Sequence, residues 1–129
     1  MHRLFKDILD RAGRSDVEAG DVVILFDATE GGQSGLLSNW VWSDERARRR
    51  QRAMVKKGLI VGKSAAGRDR YAPTEEGQAL LDIVNRALTT QSTYADPIGG
   101  LGIGALENAC QTVARAERLW IDIVRYKLG

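Results

Sequence analysis

Arginine and lysine side chains, which can bind phosphates and base edges through charge-assisted hydrogen bonds, are concentrated in one part of the chain. Residues 43–71 contain ten basic and three acidic side chains, a net charge of +7. The other hundred residues contain nine basic and fourteen acidic side chains, so the overall charge of +2 conceals a strong asymmetry. The pattern predicts a surface that binds a polyanion, and the alternative is a solvated charged helix face.

Other kinds of site find little support in the sequence. The chain has a single histidine, His2, and a single cysteine, Cys110, so no His-based triad and no His/Cys metal cluster can be assembled. Cys110 falls on an apolar helix face, which favours a buried small side chain over a redox-sensing thiol. The sequence GLGIG at 100–104 lacks the spacing of a phosphate-binding loop. We therefore expect a binding protein without catalytic residues, metal or cofactor.

Length and composition predict one soluble domain over residues 1–129. Hydrophobic residues make up 43% and charged residues 28% of the chain, which is ordinary for a globular protein. The longest apolar run, 22–26, is far shorter than the roughly 18 residues of a membrane span. The first residues mix acids and bases and lack the apolar core of an export signal. We expect a cytoplasmic protein with no membrane partner.

The elements that must position the basic residues follow from periodicity and capping signals. Ser43 is the clearest N-cap, and Gly58 ends the basic helix, whose inner face is Ala47, Gln51 and Met54. Asp16 and Thr74 are further cap candidates, and the run 22–26 could also form a strand. The predicted order is helices at 2–12, 17–29, 35–41 and 43–57, hairpin strands at 59–62 and 70–72, and helices at 74–88 and 105–127.

Three short motifs in the middle of the chain resemble one known family. They are Met54–Ile60 (MVKKGLI), Gly67–Tyr71 (GRDRY) and Ala72–Gly77 (APTEEG). In this order and spacing they resemble the recognition-helix end, the wing and the next helix start of MarR-type bacterial transcription regulators, with PadR-type regulators a near neighbour. The resemblance covers about a third of the chain, from Leu36 to Leu81. Arg50, Gln51 and Pro73 depart from the family's apolar positions.

The resemblance implies a mainly α fold with a small two-stranded wing. The winged helix-turn-helix core would span 17–88, and helices 1–12 and 105–127 would pair two subunits. The long amphipathic last helix independently needs a partner for its stripe. The residues expected at the dimer interface are Leu4, Phe5, Ile8, Leu106, Val113, Trp120 and Val124.

The basic helix would then enter the major groove of duplex DNA. Arg46, Arg48 and Arg49 are expected at base edges, Arg52 and Lys56 at phosphates, and Arg68 and Arg70 of the wing at a minor groove. The helical projection predicts that Arg50 points toward the inside, so the sequence supports a structural role and DNA contact equally. For Trp40 and Trp42 core packing is preferred over a base-stacking platform or the wall of an effector pocket. Trp120 is interpreted in the same way, with the dimer interface as its core. The expected DNA-contacting set is Ser43, Arg46, Arg48, Arg49, Arg52, Lys56, Arg68 and Arg70.

The leading hypothesis is a dimeric repressor that reads a pseudo-palindrome. A plasmid partition or replication protein would share the same features, and a winged-helix module that binds an acidic protein is the third alternative. Whether a small-molecule effector or oxidation of Cys110 controls binding stays open at the level of sequence.

Overall fold

The computed structural model describes residues 1–29, 41–65, 68–90 and 103–128. Within these ranges the chain is mainly helical with one small antiparallel sheet, so the predicted helix-rich composition with a two-stranded hairpin is confirmed. The predicted helix over 35–41 lies outside the described residues except for Val41, and so does most of the Gly-rich loop at 99–104. The elements are α1 (His2–Arg11), α2 (Ala19–Asp27), α3 (Asp44–Lys56), β1 (Ile60–Ala65), β2 (Arg68–Pro73), α4 (Glu75–Thr90) and α5 (Ile103–Leu128).

Helix α2 is the centre of the core, and all nine of its residues are buried. It contacts α1, α3, α4 and α5, which explains why the apolar run 22–26 is helical although its β-branched residues suit a strand. The N-cap is Glu18 and not Asp16: the Asp21 carboxylate accepts a hydrogen bond from the Glu18 backbone N–H at 3.0 Å. The reciprocal capping box satisfies helix-end groups that a single upstream aspartate would leave open.

Helix α3 begins and ends where the capping signals predict. The Ser43 hydroxyl accepts a hydrogen bond from the Arg46 backbone N–H at 3.4 Å, and Gly58 follows the helix with a φ of +76°. Only Ala47 and Met54 on its inner face are fully buried, with exposures of 2% and 0%. The apolar area that α3 buries is small, so the hydrophobic effect alone holds this helix only weakly against the core.

The strands of the hairpin are longer than the sequence predicts. Backbone pairing extends through Lys63↔Arg70 and on to Ala65↔Arg68, so only residues 66 and 67 connect the strands. Polar side chains do not interrupt a ladder that is made by the backbone, and for this reason the hydrophobic pattern alone underestimated the strands.

Helix α4 starts against the end of α3. Thr74 is its N-cap, as predicted: its hydroxyl accepts from the Gly77 backbone N–H at 3.0 Å and donates to the Gly58 carbonyl at 2.6 Å. Leu80, Leu81, Val84 and Leu88 face the core, whereas Ile83 of the same helix is 45% exposed.

Helix α5 has two different halves. The first half is buried against α2 and α4 through Ala105, Leu106, Ala109, Cys110, Val113 and Ala114. In the second half Leu119 and Trp120 are 61% and 64% exposed. None of the described helices combines the length and apolar character that crossing a lipid bilayer requires.

Candidate functional site

The outer side of α3 presents five exposed cations, which we call the basic face. Its members are Arg46, Arg48, Arg49, Arg52 and Lys56. One acidic side chain, Glu45, pairs with Arg49 at 3.2 Å, and because both groups are more than two-thirds exposed the pair holds Arg49 only weakly. The basic face is therefore positioned by the helix and available to a ligand. All five side chains are exposed, as contact with DNA would require, and their assignment to DNA stays a prediction.

The two other cations of this helix region point inward and meet one buried carboxylate. The Arg50 guanidinium lies 3.2 Å from Asp21 Oδ1, and the Lys57 ammonium lies 3.3 Å from Asp21 Oδ2. Asp21 is only 6% exposed. A buried carboxylate needs such partners, because an unpaired charge in the interior is costly. Arg50 thus has the structural role that the sequence left open.

Two further residues shape the space around Arg50. Its guanidinium lies over the ring of Trp42, 4.7 Å from the centroid, in a cation–π contact. Gly20 lies on the other side, where a Cβ would come within 2.8 Å of the guanidinium nitrogen. Trp42, 5% exposed, is therefore a core residue as predicted, and Gly20 leaves the room that Arg50 occupies.

The end of α3 is tied to the loop before α2 and to α4. Arg14 donates to Glu76 at 2.7 Å, pairs with Asp16 at 3.2 Å and reaches the Lys57 carbonyl at 3.4 Å. The Lys57 ammonium in turn donates to the backbone carbonyl of Asp16. These contacts hold the C-terminal end of α3 against the loop before α2 and against α4. The hairpin begins a few residues further along the chain.

The hairpin places three basic residues in neighbouring register positions. In the backbone register Lys63 is paired with Arg70 and Ala65 with Arg68. Val61, two positions before Lys63, is on the outer face of the ladder and is 46% exposed. The opposite face carries the buried Ile60. The hairpin also contacts α3 through β1.

The residues expected at a dimer interface fall into two groups. Phe5, Ile8, Leu106 and Val113 are between 0% and 8% exposed and lie in the core of the single chain. They have almost no surface left for a second chain in this arrangement. Leu4 and Val124 are half-buried, and Trp120 is 64% exposed and not a core residue of the single chain.

A groove of about 320 Å³ separates the start of α3 from the second half of α5. Its lining is Val41, Trp42, Ser43, Arg46, Trp120, Ile121 and Val124. This groove thus brings together two groups of predicted residues. The residues expected at DNA are Ser43 and Arg46, and those expected at a dimer interface are Trp120 and Val124.

The remaining candidate chemistry is inert. Cys110 is fully buried, and burial, followed by the nearby Asp27 and Glu107 carboxylates, raises the pKa of its thiol well above the ordinary value. The thiolate that redox sensing requires is therefore suppressed. Among the described residues, no three His, Cys, Asp or Glu side chains lie close enough to hold a metal ion.

Sequence reasoning missed Asp21 and Lys57 as parts of the site. A signal was present: Asp21 is the one charged residue between Glu18 and Asp27, directly before the apolar run. An acid at the start of a helix can cap its own backbone, but an aspartate that is also buried is usually paired with a cation. The sequence could not show that α3 supplies two of them, since that depends on how the helices pack.

Comparison with protein-family models, with curated proteins and with solved structures finds no match to this chain. The resemblance to MarR-type regulators thus stays a prediction that rests on three short motifs. What the molecule does is inferred from its own residues, because a fold class alone does not define a function.

Proposed function

We propose that the protein is a sequence-specific double-stranded DNA-binding transcription regulator, a dimeric repressor of winged helix-turn-helix type. The observation that carries the proposal is the division of the cations of α3. Five are exposed on the basic face, while Arg50 and Lys57 are held by Asp21. Every surface helix turns its charged residues outward, but an ordinary solvated face mixes both signs, whereas this face presents five cations and so favours a polyanion as its ligand.

The dimensions and the neighbours of α3 favour duplex DNA as the polyanion. An α-helix about 10–12 Å wide fits the major groove, which is about 12 Å wide. Arg46, Arg48 and Arg49, in the first half of α3, would read base edges. Arg52 and Lys56, nearer its end, would contact phosphates. The hairpin then acts as the wing, with Arg68 and Arg70 at an adjacent minor groove.

The second half of α5 supports the dimeric form of the proposal. Leu119, Trp120 and Ile123 are exposed large apolar residues within two turns of one helix. We assign a second copy of the chain as their cover, because two-fold pairing also presents two basic helices to a pseudo-palindrome. The contact surface of this interface would include Leu4, Trp120 and Val124. The buried residues of the predicted set would pack beneath it and hold the paired helices in place; they are Phe5, Ile8, Leu106 and Val113.

The test is DNA binding after selection of bound sites from random duplexes. Replacing Arg46, Arg48 and Arg49 together by Ala should weaken binding to the selected site about a hundredfold or more, because a good bidentate base contact is worth about 1–3 kcal/mol. Fluorescence anisotropy of a labelled duplex measures the change. Arg86→Ala is the matched control: Arg86 is an exposed arginine on α4, and its loss should leave affinity within twofold.

Salt dependence separates the two kinds of contact. Arg52→Ala or Lys56→Ala should each reduce the slope of log affinity against log salt by about one unit, on selected and random duplexes alike. Full affinity of the triple variant for the selected site would show that α3 does not read DNA. Failure of the unaltered protein to bind any duplex would reject the proposed function.

A further inference from the structure

The buried aspartate of α2 has a consequence for recognition that depends on how α3 is held. Among the α3 residues whose burial is described, only Ala47 and Met54 are fully buried, a strip too narrow to define the rotation of the helix about its axis. Arg50 and Lys57 are seven residues apart, so they project from one side of this strip, two turns from each other. Both end on Asp21.

Asp21 is itself immobilised. Its Oδ2 accepts the Glu18 backbone N–H at 3.0 Å, and the residue is 6% exposed on a helix that is buried throughout. The Lys57 side chain is 26% and the Arg50 side chain 29% exposed, against 69% for Arg49 on the basic face. A fixed carboxylate thus restrains two side chains that would otherwise extend toward solvent.

We propose that Asp21 is the specificity-determining positioning residue of the DNA-binding surface: it sets the rotation of α3 and keeps Arg50 and Lys57 away from DNA. This inference rests on the proposed function. Rotation decides which arginines face base edges, because successive residues on a helix point about 100° apart. Sequestering two cations also limits the phosphate contacts that bind every sequence equally well.

Asp21→Asn is the sharpest test, since the amide has the shape of the carboxylate and can still accept the Glu18 N–H. It removes the negative charge and one of the two acceptor oxygens that Arg50 and Lys57 share. The contacts of Arg50 with the Trp42 ring and of Lys57 with the Asp16 carbonyl remain. We expect the ratio of affinities for the selected duplex and a random duplex to fall at least tenfold. Affinity for the random duplex should rise severalfold at low salt, and its salt slope should increase by one to two units, because the two cations lose the carboxylate that neutralises them.

The matched control is Asp10→Asn, which makes the same charge change at an aspartate of α1 that is paired with Lys6 at the surface. It should leave the affinity ratio within twofold. A purely structural role for Asp21 predicts a different result, in which both affinities fall in proportion to the fraction of folded protein. That result, or an unchanged ratio in Asp21→Asn, overturns the inference while the proposed function stands.

Lys57→Gln keeps the test decisive if Asp21→Asn does not fold. This variant breaks one of the two contacts without releasing a cation, so the affinity ratio should fall while random-duplex affinity does not rise. Lys57→Arg retains the charge and should retain most of the discrimination. Equal discrimination by Lys57→Gln and the unaltered protein overturns the inference. Absence of duplex binding by the unaltered protein overturns both proposals.

Discussion

Gly77 shows how a single residue can determine the spacing between two elements. It lies in the first turn of α4, where a Cβ would overlap the backbone carbonyl oxygen of Leu59 and approach a methyl of Leu25 to 3.0 Å. Backbone groups cannot move aside as a flexible side chain can, so α4 can approach the start of the hairpin this closely only with a glycine. Gly77 is also the last residue of the motif APTEEG, and in this chain the close approach of Leu59 is the physical reason for a glycine there.

Gly77→Ala should destabilise the protein by about 2–3 kcal/mol, because the added methyl forces α4 away from Leu59. Urea unfolding followed by circular dichroism measures the loss. Gly62→Ala is the control, since a Cβ there would meet only the Tyr71 ring at an ordinary 3.8 Å. Equal stability of the two variants would show that the close approach at Gly77 is not needed.

At the scale of elements, the most connected joint lies between the end of α3 and the start of α4. Thr74 bridges the two, because its hydroxyl caps α4 at Gly77 and also donates to the Gly58 carbonyl. Its backbone N–H donates to the Leu59 carbonyl at 3.0 Å. One residue therefore joins the basic helix, the hairpin and α4, and its side chain satisfies two helix ends at once.

Thr74→Ala should lower the free energy of unfolding by about 1–2 kcal/mol, the usual cost of a lost N-cap. The matched control is Thr112→Ala on α5, where the hydroxyl only donates to the Asn108 carbonyl of its own helix at 2.8 Å. That variant should change stability by less than about 0.5 kcal/mol. Indistinguishable urea midpoints for the two would mean that the Thr74 bridge contributes nothing beyond an ordinary surface hydroxyl.

Other elements show where sequence patterns fall short. Capping residues predicted the limits of α3 and the start of α4, because a cap acts on its own helix within a few residues. The cap of α2 was predicted at Asp16 but is Glu18, since its capping box depends on Asp21, which also serves the packing of α3. The hairpin strands exceed their prediction because backbone pairing does not require apolar side chains.

For the whole molecule, α5 connects the core to the surface proposed to pair two chains. Its first half fills the core through residues such as Ala109 and Cys110, both fully buried. Its second half leaves Leu119, Trp120 and Ile123 exposed beside the groove that reaches Ser43 and Arg46. A contact made at this end of α5 would thus adjoin the start of the basic helix.

Trp120→Glu should convert the protein from dimer to monomer at micromolar concentration, because the substitution places a charge in the middle of the proposed apolar interface. Sedimentation equilibrium measures the state directly. Ile83→Glu on α4 also replaces an exposed apolar residue, 45% exposed, and should leave the dimer intact. A monomeric unaltered protein, or a dimer that survives Trp120→Glu, would contradict the assignment of α5 to the interface.

The sequence by itself determined the local features: the uneven charge, the helix caps at Ser43 and Thr74, the hairpin and the exposed cations of α3. Each of these depends on residues close together in the chain. Only the tertiary structure decided which cations are paired with a buried carboxylate, because Asp21 lies 29 residues from Arg50 and 36 from Lys57 in the chain. It also divided the last helix into a buried and an exposed half, since burial depends on which elements cover a stripe and not on the stripe itself.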